Sequence, residues 1–181
     1  IVFDVKCSKL LSDEIEKLKG KPLICKTGHT FIKQKIRETD ALLGGEMSGH
    51  IFFNDRWPGF DDGIYAGARM LEIIANSEQD DPFVNVPNML STPEINIPAA
   101  DEEKFQIVKT FIENSNFSDA KIVSIDGIRV EFEKGWGLLR PSNTSPCLVL
   151  RFEAETNDDL KKIKEIFYLG LKSIKPNINK F

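Results

Sequence analysis

The feature that most constrains the fold of this chain is a change of rhythm near its middle. Up to about residue 77, short apolar runs such as IVFDVKC alternate with segments of helical periodicity, the first over residues 8–20. PLICKTG, HTFIKQKIRETDA and ALLGGEMSGHIFF continue the alternation, and a third helix opens at Asp61 and Asp62. This spacing predicts a three-layer α/β domain with a mixed, largely parallel sheet. Because Ile1 lies directly inside the first strand, we expect this domain to be incomplete at its N-terminus.

Prolines and acidic residues interrupt this rhythm over residues 76–98, which we predict to be a linker. The order of elements then changes. A short strand is predicted over residues 94–97, and a helix over residues 101–114 is followed by KIVSI, IRVEFE, the run around GWGLLR and CLVLRFEAE, with tight turns between them. A last helix begins near Thr156. This order predicts a small α+β domain with an antiparallel sheet and two helices. We place the two domains at residues 1–85 and 90–181.

Charge and composition exclude several classes of function. The net charge is -4, and Lys and Arg are scattered rather than clustered, which argues against binding to nucleic acid or to an anionic membrane. No apolar run approaches the about 18 residues that a membrane span needs. Cys7, Cys25 and Cys147 form no CxxC pair and lie in apolar runs, so we interpret them as buried, reduced thiols of a cytoplasmic protein.

A polar motif, GGEMSGH, lies inside the third predicted strand. In extended geometry, Glu46, Ser48 and His50 project to one side, and a carboxylate beside a hydroxyl suits the binding of neighbouring sugar hydroxyls. Gly44 and Gly49 would let the backbone approach such a ligand closely. The plain alternative is a polar stripe on a half-exposed strand. The flanking apolar residues disfavour it, because an unpaired charge in a buried strand is costly.

A second polar motif, RPSNTSP, interrupts two apolar strands of the second domain. Arg140, at the mouth of this loop, carries a fork of donors that matches phosphate, and further donors follow it: Ser142, Asn143 and Thr144. Each hydrogen bond to a charged group contributes roughly 1.5–3 kcal/mol, so such a loop can hold a phosphomonoester on an acidic protein. An ordinary turn rich in Ser, Asn and Pro remains the alternative on composition alone.

Two further polar residues fall at predicted strand ends. Lys6 closes the first strand, and His29 follows the second in KTGHT. Because open α/β sheets bind ligands at the carboxyl ends of their strands, we expect both residues to share one crevice with the Glu46 loop. A metal site built from His29, Glu46 and His50 is a weaker interpretation, since no HExxH motif or fourth ligand accompanies them. Nucleophilic catalysis by Ser48 is weaker still, because no GxSxG elbow surrounds it.

These motifs resemble those of one family. TGH before a helix, GEMSGH followed by FFNDRWPGFDDGIYAGARMLEI, and RPSNTSP near the C-terminus are similar, in this order, to the α-D-phosphohexomutases, specifically the phosphomannomutase/phosphoglucomutase branch. The resemblance spans almost the whole chain. It implies that residues 1–85 form most of the third domain, and residues 90–181 the fourth domain, of a four-domain enzyme.

The resemblance also implies a reaction. Such enzymes are isomerases of carbohydrate metabolism that interconvert the 1- and 6-phosphates of mannose and glucose through a hexose 1,6-bisphosphate and an enzyme phosphoserine. The matching residues would be Glu46 and Ser48 as readers of sugar hydroxyls, His50 as support of that loop, Lys6 in the cleft, His29 in proton transfer, and Arg140, Ser142, Asn143 and Thr144 as the grip on the phosphate that is not transferred.

The phosphoserine and the Mg²⁺ loop of the family match no residue of this chain. The resemblance therefore places both outside it, and we expect the chain alone to be inactive. The nearest alternative is phosphoglucosamine mutase, which shares a GE-x-SGH loop; Met47 in place of Gln favours the mannose and glucose branch. The alternative of another class is a non-catalytic module that binds sugar phosphates.

Overall fold

The computed structural model describes residues 1–117 and 119–181. The chain divides into two compact units, Ile1–Asn88 and Met89–Phe181. The predicted fold class is confirmed, because a mixed, largely parallel sheet with helices is followed by an antiparallel sheet with two helices. Within the described residues, no helix is both long enough and apolar enough to cross a membrane.

The sheet of the first unit contains four short strands. They are β1 (Val2–Asp4), β2 (Leu23–Cys25), β3 (Leu43–Gly45) and β4 (Ile51–Phe53), in the spatial order β2-β1-β3-β4. β1 runs parallel to β2 and β3, whereas β4 is antiparallel to β3. The carboxyl ends of β1, β2 and β3 therefore meet at one edge of the sheet, and the loops that follow them are neighbours.

Helices cover both faces of this sheet. Those of the first unit are α1 (Lys9–Lys17), α2 (His29–Thr39) and α3 (Gly63–Ala75). Val2 and Phe3 are adjacent in β1 and so point to opposite faces. Val2 packs in one cluster with Ile32 of α2, and Phe3 packs in another with Ile15 of α1. The sheet is thus the middle layer of three.

Gly44 in β3 makes room for α2. A Cβ atom at this position would lie 2.6 Å from Cδ1 of Ile36 and 2.8 Å from Cγ2 of Ile32, both on α2. Any side chain here would push the helix away from the strand, because carbon atoms do not pack at such distances. The predicted role of Gly44, a close approach of the backbone to a ligand, is therefore wrong.

α3 packs against β4 through aromatic and cationic side chains. Its N-cap residue, Asp62, accepts a hydrogen bond from the backbone N–H of Tyr65 at 2.9 Å. The Tyr65 ring meets the Phe53 ring edge-on at 5.6 Å between centroids, and the Arg69 guanidinium lies 4.3 Å from the Phe53 centroid. The apolar residues that share the predicted helical face are exposed: Ile64, Ala68, Leu71 and Ile74.

The second unit is built on an antiparallel sheet. Its strands are β5 (Leu90–Ser91), β6 (Ile95–Pro98), β7 (Lys121–Val123), β8 (Ile128–Phe132), β9 (Gly135–Pro141) and β10 (Cys147–Ala154). The order is β5-β10-β9-β8-β7, and β6 also pairs with β10. β6 confirms the short strand predicted over residues 94–97. β5 was predicted only as part of the linker, and that prediction is wrong because backbone pairing with β10 orders it.

Two helices, α4 (Asp101–Asn114) and α5 (Asn157–Ile174), share the core of this second sheet. Phe111 of α4 and Phe167 of α5 contact each other at 5.3 Å between ring centroids and pack in one cluster with Leu139 of β9. Side chains alternate along a strand, so Trp136 and Arg140 of β9 lie on the face opposite to Leu139. β9 thereby delivers Arg140, close to its end, on the face away from both helices.

Candidate functional site

The GGEMSGH motif forms a hairpin turn rather than an extended strand. It connects β3 to β4, and the backbone N–H of Glu46 donates to the carbonyl oxygen of His50 at 2.9 Å. Gly49 has a φ of +91°, which residues with a Cβ rarely adopt, and its N–H donates to the carbonyl oxygen of Glu46 at 2.9 Å. The predicted alternation of Glu46, Ser48 and His50 along a strand face is therefore wrong. Because Gly49 closes the hairpin, the three residues lie in and beside one turn.

Glu46 is half-buried and holds the start of α2. Its Oε1 accepts a hydrogen bond from the backbone N–H of Gly28 at 2.6 Å. Gly28 is the N-cap of α2, where N–H groups lack partners inside the helix and negative charge is stabilised by the helix dipole. One carboxylate oxygen is thus engaged by the protein, and Oε2 is the oxygen with capacity for a ligand hydroxyl.

Lys6 and His29 lie at the same edge of the first sheet as this turn. His29 is the first residue of α2 and is exposed, one residue after Gly28. Lys6 follows β1 and is buried, with its Nζ 3.9 Å from Oδ2 of Asp4. The structure therefore brings a cation, an imidazole and the Glu46 carboxylate to the loops at the carboxyl ends of β1, β2 and β3. Ser48 is exposed in the turn beside them.

His50 is paired with an aspartate that the sequence did not single out. Its Nδ1 lies 2.9 Å from Oδ2 of Asp61, and both side chains are partly exposed. Asp61 also forms an isolated β-bridge with Phe52, which fixes it beside β4. The two consecutive aspartates could have revealed Asp61. Only the second of them, Asp62, is needed to cap α3, so the first is available for another partner.

Asp4 is the second residue that the sequence reasoning missed. It is 0% exposed, and its carboxylate accepts hydrogen bonds from the backbone N–H of Met47 and from Oγ1 of Thr27, both at 3.2 Å. Met47 belongs to the hairpin turn and Thr27 to the loop before α2. A charge in the middle of the apolar run IVFDVKC could have revealed this residue, since a buried carboxylate requires donors around it.

Arg140 is buried in the second unit. The sequence predicted instead that it would be open at the mouth of its loop, and this prediction is wrong. The residue is 4% exposed, and its Nε donates to Oδ2 of Asp126 at 3.0 Å. Asp126 lies in the turn between β7 and β8 and was not predicted as a site residue. Nη2 of Arg140 is buried without a hydrogen-bond partner among the described residues. A buried unpaired donor costs about 1–3 kcal/mol, so an anion at Nη2 would be stabilised.

The RPSNTSP loop is shaped by Ser142. This residue is buried, and its Oγ accepts hydrogen bonds from the backbone N–H groups of Thr144 at 3.3 Å and Ser145 at 3.1 Å. Its own backbone N–H donates to the carbonyl oxygen of Cys147 at 2.9 Å. Asn143 and Thr144 are exposed at the tip of the loop. Ser142 therefore organises the turn, while Asn143 and Thr144 present side chains to the outside.

Lys104 of α4 anchors the far side of this loop. It is 4% exposed, and its Nζ donates to the carbonyl oxygen of Ser145 at 3.1 Å and to the Asp101 carboxylate at 2.5 Å. The backbone N–H of Ala99 adds a bond to the carbonyl oxygen of Pro146 at 3.0 Å. A lysine among the inward residues of a predicted helix was the available signal, because lysine is rarely buried without a partner.

The remaining candidate chemistry concerns metals and thiols. Among residues 1–117 and 119–181, no group of three or more His, Cys, Asp or Glu side chains is placed to hold a metal ion. The side chains of these ranges therefore do not fit the magnesium site that the family resemblance implies. All three cysteines are free thiols; Cys7 and Cys25 are buried as predicted, whereas Cys147 at the start of β10 is partly exposed. Burial raises the pKa of the Cys25 thiol, which makes it a poor nucleophile.

Known proteins share both units of this chain. The family model described as phosphoglucomutase/phosphomannomutase, alpha/beta/alpha domain III, matches residues 1–83, and the model of the C-terminal domain of the same family matches residues 94–169. A phosphomannomutase/phosphoglucomutase of Pseudomonas syringae pv. tomato is 50% identical over 181 residues, which cover 99% of this chain and 39% of that protein. A phosphoglucomutase of Neisseria meningitidis serogroup A is 46% identical, covering 98% of this chain and 39% of that protein.

A solved structure shows the same arrangement of elements. The crystal structure of a phosphoglucomutase/phosphomannomutase family protein from Burkholderia thailandensis matches with a TM-score of 0.91 and 45% sequence identity, over 99% of this chain and 39% of that chain. The chain thus spans well under half the length of the relatives it matches. On the strength of two matching domains and these relatives, the chain belongs to the phosphoglucomutase/phosphomannomutase family.

Proposed function

We propose that the complete protein is a phosphomannomutase/phosphoglucomutase, an isomerase that interconverts hexose 1-phosphates and hexose 6-phosphates of mannose and glucose. In this proposal, the first unit reads sugar hydroxyls and the second unit binds a phosphate group. The observation that carries it is the buried Nη2 of Arg140, a cationic donor that has no hydrogen-bond partner among the described residues and lies next to the RPSNTSP loop. The relatives, which carry these two activities in their names, support it.

The first unit supplies groups suited to a sugar ring. Oε2 of Glu46 accepts from a ligand hydroxyl, and Ser48 in the same turn can donate or accept. His29, exposed at the first position of α2, can exchange a proton with a ligand oxygen, and Lys6 adds positive charge at the same edge. We assign O3 and O4 of the hexose to Glu46 and Ser48. Since glucose and mannose differ only at C2, such a site accepts both sugars.

The second unit supplies groups suited to a phosphate that is not transferred. Nη2 of Arg140 donates to one phosphate oxygen, and the exposed side chains of Asn143 and Thr144 donate to others. Ser142 holds the turn in shape from below. A hexose 1,6-bisphosphate carries two phosphate groups, and either of them suits this loop. Reorientation of a hexose 1,6-bisphosphate would therefore lead to either product.

The phosphate donor belongs, in this proposal, to the complete protein and not to this chain. The same holds for magnesium, since the residues described here do not fit a metal site. We accordingly expect the chain of 181 residues alone to show no mutase activity. Its free cysteines are consistent with the cytoplasm, where thiols stay reduced, which is the location we propose.

The experiment that tests the function assays the purified complete gene product on mannose 1-phosphate, glucose 1-phosphate and glucosamine 1-phosphate. We expect turnover of the first two and much slower turnover of the third. A preference for glucosamine 1-phosphate would favour phosphoglucosamine mutase instead. Absence of turnover on all three, with phosphate binding retained, would leave a non-catalytic binding module.

The role of Glu46 is tested by Glu46→Gln in the same protein. Loss of the charged acceptor should lower kcat/KM about 10- to 100-fold on mannose 1-phosphate and glucose 1-phosphate alike, because both sugars offer the same O3 and O4. Glu38→Gln, an exposed carboxylate on α2, is the matched control. A loss confined to one sugar would contradict the assignment of O3 and O4.

A further inference from the structure

The Asp4 carboxylate is the common contact of three loops in the first unit. Its Oδ1 accepts from the backbone N–H of Met47 at 3.2 Å and from Sγ of Cys7 at 3.1 Å. Its Oδ2 accepts from Oγ1 of Thr27 at 3.2 Å and lies 3.9 Å from Nζ of Lys6. Lys6 and Cys7 follow β1, Thr27 follows β2, and Met47 follows β3. One buried side chain thus joins the loops at the carboxyl ends of all three parallel strands.

Backbone pairing alone gives these loops little support. Each of the three strands is three residues long, and the registered pairs of β1 end at Asp4 with Cys25 and at Phe3 with Gly45. Beyond these pairs, the main-chain bond from Val5 to the Cys25 carbonyl oxygen, at 3.1 Å, continues the sheet by one step. Side-chain hydrogen bonds therefore add to this short pairing in fixing the position of each loop relative to the next.

Each partner of Asp4 adjoins a residue of the candidate site. Thr27 precedes Gly28, whose N–H binds Glu46, and Met47 directly follows Glu46. Lys6 is itself a candidate residue. A displacement of any of these loops by even an ångström would move the sugar-reading groups out of register, and misplacements of that size cost catalysis heavily.

The burial of Asp4 argues for such a role rather than for a contribution to core stability. A fully buried carboxylate loses its hydration, and an apolar residue of similar volume is often at least as stable in its place. The carboxylate offers what a leucine does not, namely acceptors that point to loops on either side of β1. Its benefit is therefore positional.

We propose that Asp4 is a positioning residue that fixes Lys6, the Thr27–Gly28 segment and the Glu46 turn relative to one another for sugar binding. The inference rests on the proposed function for its kinetic consequence, but its geometric part is independent of it. Asp4 contacts the three loops and acts on the ligand only through them.

The kinetic test uses a graded series in the complete gene product. Asp4→Leu keeps the branching at Cγ, although leucine is bulkier, and removes both acceptors. Asp4→Asn keeps one acceptor at nearly the same volume, and Thr27→Val removes only one donor to Asp4. We expect kcat/KM on glucose 1-phosphate to fall about 100-fold, about 10-fold and by a smaller factor, respectively. The kcat/KM of Asp4→Asn should thus lie between those of Asp4→Leu and the parent. Equal activity of all three variants and the parent would overturn the proposal.

A double-mutant cycle separates positioning from general weakening of the fold. If Asp4 acts through the turn, Asp4→Asn combined with Glu46→Gln should lose little more than Glu46→Gln alone. Independent losses that multiply would overturn the proposal. A second cycle combines Thr27→Val with Glu46→Gln and is interpreted in the same way. Neither cycle needs Asp4→Leu, so the test stands even if that variant does not fold.

Amide hydrogen exchange tests the geometry without substrate or activity. In Asp4→Leu and Thr27→Val, the amides of Met47 and Gly28 should exchange at least about 10-fold faster than in the parent, because the turn opens locally. Glu153→Gln, which alters a buried carboxylate in the second unit, should leave both amides unchanged. Unchanged exchange in both first-unit variants would overturn the inference. If the parent itself turns over no hexose phosphate, the proposed function fails, while this measurement still decides the role of Asp4.

Discussion

The two units hold their candidate site loops by different means. In the first unit, three-residue strands end at the site, and the loops beyond them are joined by side chains, chiefly Asp4 and Glu46. In the second unit, β9 and β10 are seven and eight residues long, and the loop between them is a continuation of their pairing. Single side chains therefore set the geometry of the first site. In the second site the pairing of two long strands carries the loop, and the side chains of Ser142 and Lys104 only fix its tip. This difference makes the two units respond differently to the same kind of substitution.

The largest expected difference separates two glycines with positive φ, one in each unit. A Cβ at Gly127 (φ +73°) would lie 2.2 Å from the carbonyl oxygen of Leu139 and 2.6 Å from Cα of Arg140. At Gly49 (φ +91°), a Cβ would meet no atom of the described residues within 4 Å. Gly127→Ala should therefore cost the second unit about 4 kcal/mol or more of unfolding free energy, and Gly49→Ala should cost the first unit only about 1–2 kcal/mol.

Urea unfolding with one tryptophan per unit measures both effects. Trp136 reports on the second unit in a Trp57→Phe background, and Trp57 reports on the first unit in a Trp136→Phe background, each with the matching glycine variant. Equal costs in the two units would show that the backbone of the second loop is no more constrained than the hairpin of the first.

The next effect tests whether the first sheet depends on close packing with α2. Gly44→Ala should cost about 2 kcal/mol, because the new methyl group overlaps Ile32 and Ile36, whereas Gly45→Ala should cost less than about 0.5 kcal/mol. The nearest atom to a Cβ at Gly45 is the carbonyl oxygen of His50 at 3.6 Å. Urea unfolding followed by Trp57 emission compares the two variants. Equal costs would mean that α2 moves freely on the sheet.

A smaller effect concerns the anchor of the second loop. Lys104→Met keeps the length of the side chain but removes its bond to the carbonyl oxygen of Ser145, so phosphate affinity should fall about fivefold, the equivalent of about 1 kcal/mol. Titration with inorganic phosphate, followed by the amide shifts of Asn143 and Thr144, measures the change. Lys109→Met on the exposed side of α4 is the control. Unaltered affinity in Lys104→Met would mean that backbone pairing and Ser142 hold the loop unaided.

The smallest effect is a pH dependence confined to the surface of the first unit. Arg69 donates to Asp55 at 2.8 Å, and this hydrogen bond lowers the pKa of Asp55 from 3.8 to about 2. A depressed folded-state pKa stabilises the fold above the unfolded value and loses this contribution as pH falls through the folded value. Asp55→Asn should thus be slightly less stable near neutral pH and converge with the parent between pH 3.8 and about 2. Thermal unfolding of Asp55→Asn and of the parent across this pH range measures the effect. A difference between their thermal midpoints that stays constant over the range would contradict the pairing of Arg69 with Asp55.

The arrangement of strands and helices was predictable because hydrophobic periodicity reports directly on which side chains face a core. IVFDVKC and CLVLRFEAE each predict a strand; β10 covers nearly all of the second run, whereas β1 covers only Val2–Asp4 of the first. The hairpin at residues 46–49 was not predictable from the same signal. Alternation of polar residues is compatible with a strand, and only the positive φ of Gly49 turns the chain back.

The candidate site shows a similar limit. The residue types in GEMSGH and RPSNTSP pointed to sugar and phosphate chemistry, but the carboxylates that hold them were missed: Asp4, Asp61 and Asp126. Each supports its partner through a contact between segments distant in sequence, such as the bond from Met47 to Asp4. A sequence shows which groups are able to bind a ligand; it does not show which distant side chain orients them.

The bond between Glu46 and the start of α2 has a consequence for redesign of sugar preference. A substitution at position 46 removes a ligand acceptor and, at the same time, releases the N–H of Gly28, so altered selectivity would come with a frayed helix. Ser48 is exposed in the same turn, and the bond that holds the start of α2 is made by Glu46 and not by Ser48. A library that seeks new hexose specificity should therefore randomise position 48 and keep the glutamate.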